Sequence, residues 1–212
     1  DTAIGQLVNE AVAADEVVDI YKLAGVNTPE ISILSDEFLD SLAHRDKPNL
    51  QLGLLRRILN DRIKTVSRSN LVQSRKFSEQ LEEAINKYTN RSLTTAEIIA
   101  ELVKLAKEMR NQAHRHEELG LSEAEAAFYD AIVQNQAAVL EMGDEKLKKI
   151  SMDLVESVRG SVTIDWNYKE SVKAGLRAKV RRLLAINGYP PDLEERAIEL
   201  VLEQAELFAG GK

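Results

Sequence analysis

The chain has no cysteine among its 212 residues, and this absence excludes several kinds of chemistry. Disulfide frameworks, thiolate zinc sites, iron–sulfur ligation and cysteine nucleophiles all require that side chain. Long apolar stretches are missing as well, because the longest segment without a charged residue, Ala131 to Leu140, is ten residues long. A bilayer span needs about 20. We therefore expect no membrane contact, and the missing cysteine is compatible with a cytoplasmic location.

Aromatic residues are also scarce, at 5% of the chain, and there are only four prolines and ten glycines. Strand-rich sandwiches depend on aromatic and β-branched residues, whereas this sequence is rich in Leu, Ala, Ile, Glu, Lys and Arg. A content of 44% hydrophobic and 30% charged residues excludes a globally disordered chain. This composition predicts an all-α protein.

Start and stop signals divide the chain into consecutive helices. Two capping boxes of the S/T-x-x-E type begin at Thr94 and Ser122. We expect the first of these helices to continue to Gly120, with apolar residues three and four positions apart on its buried face. No repeat of 20 to 50 residues occurs, so a solenoid is not predicted. The expected fold is an irregular multi-helix bundle of about eight to nine helices without a significant sheet.

A polar turn from Thr89 to Thr95 marks the one plausible division of the chain. It predicts an N-terminal helical part, residues 1–90, and a C-terminal helical bundle, residues 91–212. No flexible linker composition accompanies this turn, so a single domain is the alternative interpretation.

Motifs for catalysis and phosphate binding are missing. The patterns GxxxxGK[ST], GxGxxG and GxSxG do not occur. His114 and Glu118 lie one helical turn apart, but no third ligand accompanies them, and a solvated helix end explains them better than a metal site. We predict no catalytic, cofactor-binding or metal site in this chain.

The net charge of −7 hides two basic segments. Residues 54–77 hold seven cations and one anion, a local charge of +6, and residues 169–182 hold six cations and one anion, a local charge of +5. The remainder therefore carries −18. The candidate binding residues in these segments are Arg56, Arg57, Arg62, Lys64, Arg68, Arg75, Lys76, Lys169, Lys173, Arg177 and Arg181.

Two interpretations of the basic segments remain open. They bind a polyanion such as DNA or an acidic partner surface, or they pack on the acidic helices of the protein itself. The second segment places four cations at four-residue intervals, which makes a basic ridge on one helix. Just before it lies Trp166, the only tryptophan, which is either a core anchor or a partner-binding anchor.

Several segments together resemble one known family. They are LVQSRKFS (71–78), GLSE (120–123), AFYDA (127–131), VTIDW (162–166), GYPPD (188–192) and LVLEQAEL (200–207). In this order they resemble the C-terminal helical region of the restriction (R) subunit of type I restriction–modification enzymes. The resemblance covers nearly the whole chain.

The resemblance implies a larger parent, and a first residue of Asp1 instead of Met fits this expectation. Such a subunit is an ATP-dependent type I site-specific deoxyribonuclease, with a nuclease domain and two ATP-driven DNA-translocating motor domains before the helical region. ATP and Mg would belong to those parts, and no cofactor is expected here.

By implication this region packs beside its own motor domains and attaches the subunit to the methyltransferase and specificity subunits. The alternative is a module that contacts duplex DNA through the two basic segments. Gly175 departs from the larger residue expected inside the second basic helix, and we expect it to mark a close approach of another helix.

Overall fold

The structure, a computed structural model, describes residues 35–36, 38–39, 48–134, 136–161 and 170–210. Within these ranges the chain forms nine α-helices and no strand. They are α1 Pro48–Val66, α2 Leu71–Thr89, α3 Thr95–Ala113, α4 Arg115–Leu119, α5 Glu123–Ile132, α6 Gln136–Met142, α7 Asp144–Arg159, α8 Glu170–Ile186 and α9 Pro191–Gly210. The predicted all-α class is confirmed. Trp166 and Lys169 lie outside the described residues.

Local sequence signals determine where the helices begin. In the capping box of α3, the backbone N–H of Glu97 donates to Thr94 Oγ1 at 3.3 Å, and the Thr94 N–H donates to Glu97 Oε2 at 2.7 Å. The box of α5 repeats this geometry with Ser122 and Glu125. Each box satisfies backbone donors that have no partner inside the helix. Both capping boxes were predicted from the sequence and are confirmed.

The helix expected from Thr94 to Gly120 is interrupted, which corrects the sequence-based prediction. α3 ends at Ala113, and His114, with φ −101° and ψ 0°, separates it from the five-residue α4. The His114 N–H donates to the carbonyl of Asn111 at 3.3 Å, so the last turn is tightened to the i−3 pattern. The interruption lies beside Arg115, whose side chain is paired with Asp130 of α5.

Two hydrophobic clusters form the core of the described residues. α1, α2 and α3 pack pairwise and build the N-terminal cluster from residues such as Leu55, Phe77 and Leu102. The C-terminal cluster comes mainly from α5, α7, α8 and α9. α5 lies at its centre, since all seven residues from Ala126 to Ile132 are buried, and α5 packs on both α7 and α9.

The turn at residues 89–95 joins α2 and α3, and both of these helices contribute to the N-terminal cluster. The change from one cluster to the other comes later, across α4 and the start of α5. The division into residues 1–90 and 91–212 stays a prediction.

The seam between the clusters is polar and centres on the carboxylate of Asp130, whose side chain is 5% exposed. Asn70 Nδ2 and Gln73 Nε2 donate to Asp130 Oδ2 at 2.8 and 3.0 Å, and Arg115 Nη1 donates to Oδ1. The Arg115 guanidinium also lies 5.6 Å from the ring centroid of Tyr129. A buried charge must be paired and hydrogen-bonded, so this carboxylate fixes α2 and α4 against α5.

A second contact across the seam comes from the buried amide of Gln204 in α9. Its Oε1 accepts from the backbone N–H of Leu71 at 3.0 Å, and its Nε2 donates to the carbonyl of Ser69 at 2.7 Å. One side chain thus satisfies a free donor at the start of α2 and an acceptor in the turn before it. The exposed pair Arg75–Glu203, at 2.7 Å, links the same two helices.

Gly175 does not mark a close helix approach, which corrects a second expectation. The residue is exposed, and a Cβ built on it would meet nothing within 4 Å. Its conformation inside α8 is ordinary, since no left-handed φ occurs there. Gly120, by contrast, ends α4 with a φ of 69°, where a side chain is strained.

We expect Gly175→Ala to raise the free energy of unfolding by about 0.5–1 kcal/mol, because alanine loses less backbone entropy in a helix interior. Urea unfolding of the chain measures this change. The matched control is Gly120→Ala, which we expect to destabilise by about 1 kcal/mol because of its left-handed backbone. A loss of stability in Gly175→Ala would contradict the open surroundings at this position.

Asp130→Ala is expected to lower the free energy of unfolding by about 3 kcal/mol, since it leaves Arg115, Asn70 and Gln73 without their shared acceptor. Glu203→Ala is the matched control: it removes an acid from an exposed ion pair across the same seam, and we expect it to cost less than about 1 kcal/mol. Equal losses in the two variants would refute the special role of the buried carboxylate.

Candidate nucleic-acid and partner interfaces

The basic ridge of α8 faces the acidic side of α9. Arg177 Nη1 lies 2.6 Å from Glu195 Oε1, and Arg181 Nη2 lies 2.6 Å from Glu195 Oε2. Lys173 Nζ lies 2.8 Å from Glu206 Oε1. The three described cations of the ridge are therefore each paired with an acid of α9, as the intramolecular interpretation of this segment expected. The binding roles assigned to them from the sequence stay predictions.

Three cations of the first basic segment are paired as well. Arg57 Nε lies 3.1 Å from Asp61 Oδ2 on the same helix. Arg75 pairs with Glu203 of α9, as noted above, and Lys76 Nζ lies 2.8 Å from Glu108 Oε1 of α3. All three side chains are about half exposed, so these contacts are of the surface kind that contributes little stability.

The other four cations of that segment, Arg56, Arg62, Lys64 and Arg68, form no ion pair with another residue in the described parts of the chain. Arg56 and Lys64 are exposed on α1, with the exposed Asn60 between them at four-residue spacing. Arg68 is exposed in the turn that follows α1. We call Arg56, Lys64 and Arg68 the α1 basic face.

Arg62 differs from its neighbours because it is half-buried and lines a cleft at the seam. The cleft has a volume of about 440 Å³, and its wall also includes Arg115, His114, Glu117 and Asp130. Positive and negative groups are mixed there, and His114 Nδ1 lies 3.7 Å from Glu117 Oε1. No group of three or more metal-ligating side chains occurs among the described residues.

The tyrosines with the largest pKa changes are packing residues. Burial raises the pKa of Tyr129, which also donates to Asp144 Oδ1. That hydrogen bond, with the neighbouring Lys148, lowers the pKa of Asp144. Burial raises the pKa of Tyr189 to about 12, and its hydroxyl donates to the carbonyl of Ile132 at 2.6 Å. Both phenols stay protonated and connect α5 to its neighbours.

Exposed apolar side chains concentrate on the C-terminal cluster. Leu140 of α6 is 85% exposed, Ile186 at the end of α8 is 72% exposed, and Met152 of α7 is 41% exposed. α6 and α8 both pack against α7, so these residues belong to consecutive packed helices. Leu50, 43% exposed, is the comparable residue on α1. No described helix is sufficiently long and apolar to cross a membrane.

The sequence located the cations but did not identify the acidic partners that lie on other helices. Glu195 forms ion pairs with two arginines of α8. In the sequence, the adjacent glutamates 194 and 195 have the pattern of ordinary surface residues. Asp130 was missed as well. Its signal was present, since it is the only charged residue in the run from Ala126 to Ile132, where an acid needs a partner.

Comparison with known proteins agrees with the motifs. Residues 1–211 match the family described as "Type I restriction enzyme HindI endonuclease subunit-like, C-terminal". The "Type I restriction enzyme HindI endonuclease subunit" of Haemophilus influenzae is 42% identical over 204 residues, which cover 96% of this chain and 19% of that protein. No solved structure gave a significant match.

A second relative is the "Putative type I restriction enzyme MjaIXP endonuclease subunit" of Methanocaldococcus jannaschii. It is 37% identical over 186 residues, which cover 87% of this chain and 18% of that protein. The chain thus spans about a fifth of the length of these relatives. The resemblance predicted from the motifs is confirmed, and this chain belongs to the family of C-terminal regions of HindI-like type I restriction enzyme endonuclease subunits.

Proposed function

We propose that this chain is a non-catalytic helical docking module, which attaches an ATP-dependent DNA-translocating endonuclease subunit to the methyltransferase–specificity core. Its family membership supports this proposal, since the relatives are endonuclease subunits of type I restriction enzymes. In this proposal the nuclease and motor chemistry, with its ATP and Mg, belongs to other parts of the parent subunit. The module also packs beside the subunit's own motor domains.

The observation that carries the docking role is the exposure of Leu140 and Ile186 on the C-terminal cluster. When a partner buries large apolar side chains that are this exposed, the complex gains binding free energy, because full burial of one leucine or isoleucine is worth about 1.5–3 kcal/mol. Charged residues are depleted at the centre of protein interfaces and large apolar ones are favoured. The apolar residues on α6, α7 and α8 therefore mark the proposed docking surface.

We expect Leu140→Ser combined with Ile186→Ser to weaken capture of this chain by the methyltransferase–specificity complex at least about tenfold, since 1.4 kcal/mol changes a binding constant tenfold. Titration of the labelled chain with that complex measures the loss. Leu50→Ser is the matched control, because it removes an exposed leucine from the N-terminal cluster instead.

The thermal unfolding midpoint of the double variant should match that of the unmodified chain, since neither residue is buried. If the unmodified chain fails to bind while the full-length subunit binds normally, the docking role is wrong. If all three chains bind equally, docking uses a different surface.

A second candidate is a module that contacts duplex DNA beside the motor. The specific observation in its favour is the set of four cations around α1 that lack an ion pair among the described residues. We expect the chain to bind duplex DNA with an association constant that falls steeply with salt, by a log–log slope of about −0.9 per phosphate contact. Fluorescence anisotropy at several salt concentrations tests this, and undetectable or salt-insensitive binding contradicts it.

A further inference from the structure

We propose that the α1 basic face is the surface that contacts the sugar–phosphate backbone of duplex DNA, and that the basic ridge of α8 is not. This inference rests on the second candidate function and narrows it from two basic segments to one. The two segments have similar local charges in the sequence, +6 and +5. In the structure the ridge cations Lys173, Arg177 and Arg181 are all paired. Lys179 and Arg182 of the same segment lie off the ridge and form no ion pair among the described residues.

The α8 ridge and the α1 basic face differ in the ion pairing of their cations. Arg177 and Arg181 share the carboxylate of Glu195 at 2.6 Å each, and this negative charge offsets part of their attraction for a phosphate. Arg56, Lys64 and Arg68 have no ion pair to break within the described residues. Affinity for DNA comes largely from cations that displace condensed counterions, so we assign it to these three side chains.

The surface between these cations is polar. The exposed positions of α1 that accompany them include Gly53 and Asn60, and no large apolar residue of α1 after Leu50 is strongly exposed. A protein interface usually has an apolar, often aromatic centre, whereas protein–DNA interfaces are more polar and much more positive. The α1 basic face therefore fits nucleic acid better than an acidic protein.

The packing of α1 determines which of its sides can approach a duplex. The side of α1 with Leu54, Leu55 and Ile58 is buried against α2 and α3, so among the described residues it is the outer side that a duplex can reach. Asn60, which lies between the cations, donates one Nδ2 hydrogen to the carbonyl of Arg56 at 2.9 Å. Contacts made by arginine and lysine to phosphates carry no sequence information. The predicted binding is therefore independent of base sequence.

The spacing of the cations along α1 also suits the phosphate spacing of a duplex. Arg56 and Lys64 are eight residues apart, about 12 Å along the helix axis at 1.5 Å per residue. A duplex carries one phosphate charge per about 1.7 Å of its axis, so several phosphates lie within this span. Each long side chain can contact one of several nearby phosphates, so the helix does not need one exact alignment with the duplex.

The test compares two triple variants of the chain that each remove three positive charges. The α1 variant carries Arg56→Gln, Lys64→Gln and Arg68→Gln, and the matched control carries Lys173→Gln, Arg177→Gln and Arg181→Gln. We expect the α1 variant to lose at least tenfold in affinity for a 30-base-pair duplex and to flatten the salt slope by about 0.9 for each lost phosphate contact. The control should retain the slope of the unmodified chain, and both should remain helical by circular dichroism.

The measurements separate failure of the DNA-contacting function from failure of the surface assignment. If the unmodified chain binds no duplex, the second candidate function fails, and this inference fails with it. If the unmodified chain binds and only the α8 variant loses affinity, the function holds and the inference is wrong. A loss of methyltransferase–specificity binding in the α1 variant, with DNA affinity unchanged, shows an acidic protein partner and overturns it. A tenfold preference between two duplexes of unrelated sequence would refute backbone-only contact.

Discussion

The carboxylate of Asp130 constrains this molecule more than any other polar group among the described residues. It is buried in the middle of an otherwise apolar helix, where a charge without partners is very costly. Its partners come from the start of α2 and from α4. Satisfying one carboxylate thus brings three helices together, and Arg115 directly follows the interruption between α3 and α4 at His114.

This polar seam separates two kinds of surface. On the N-terminal side, α1 presents cations without ion pairs in the described chain. On the C-terminal side, α6 and α8 present exposed apolar residues. Gln204 and the Arg75–Glu203 pair hold the two sides together through α2 and α9. The proposed docking and DNA-contacting roles therefore use different clusters, so one does not exclude the other.

Most of the fold could be predicted because helix ends depend on neighbours in the sequence. Thr94 with Glu97 and Ser122 with Glu125 are capping boxes whatever the helices pack against, and the structure confirms both. The interruption at His114 could not be predicted. It lies beside the contact between Arg115 and Asp130, and these two residues are 15 positions apart in the sequence. Gly175 shows the same limit: a glycine inside a helix has the same local pattern whether a neighbour approaches it or solvent surrounds it.

The sequence by itself determined the all-α class, the capped starts of α3 and α5, the family and the positions of the basic segments. Each of these depends on the type, spacing or order of residues along the polypeptide. Only the tertiary structure decided which cations are neutralised, because ion pairs such as Lys173–Glu206 and Arg75–Glu203 join residues 33 and 128 positions apart. Charge is a property of residues, but its pairing depends on distance in space. Packing brings α9 against α8, whereas Arg56, Lys64 and Arg68 have no acidic partner among the described residues.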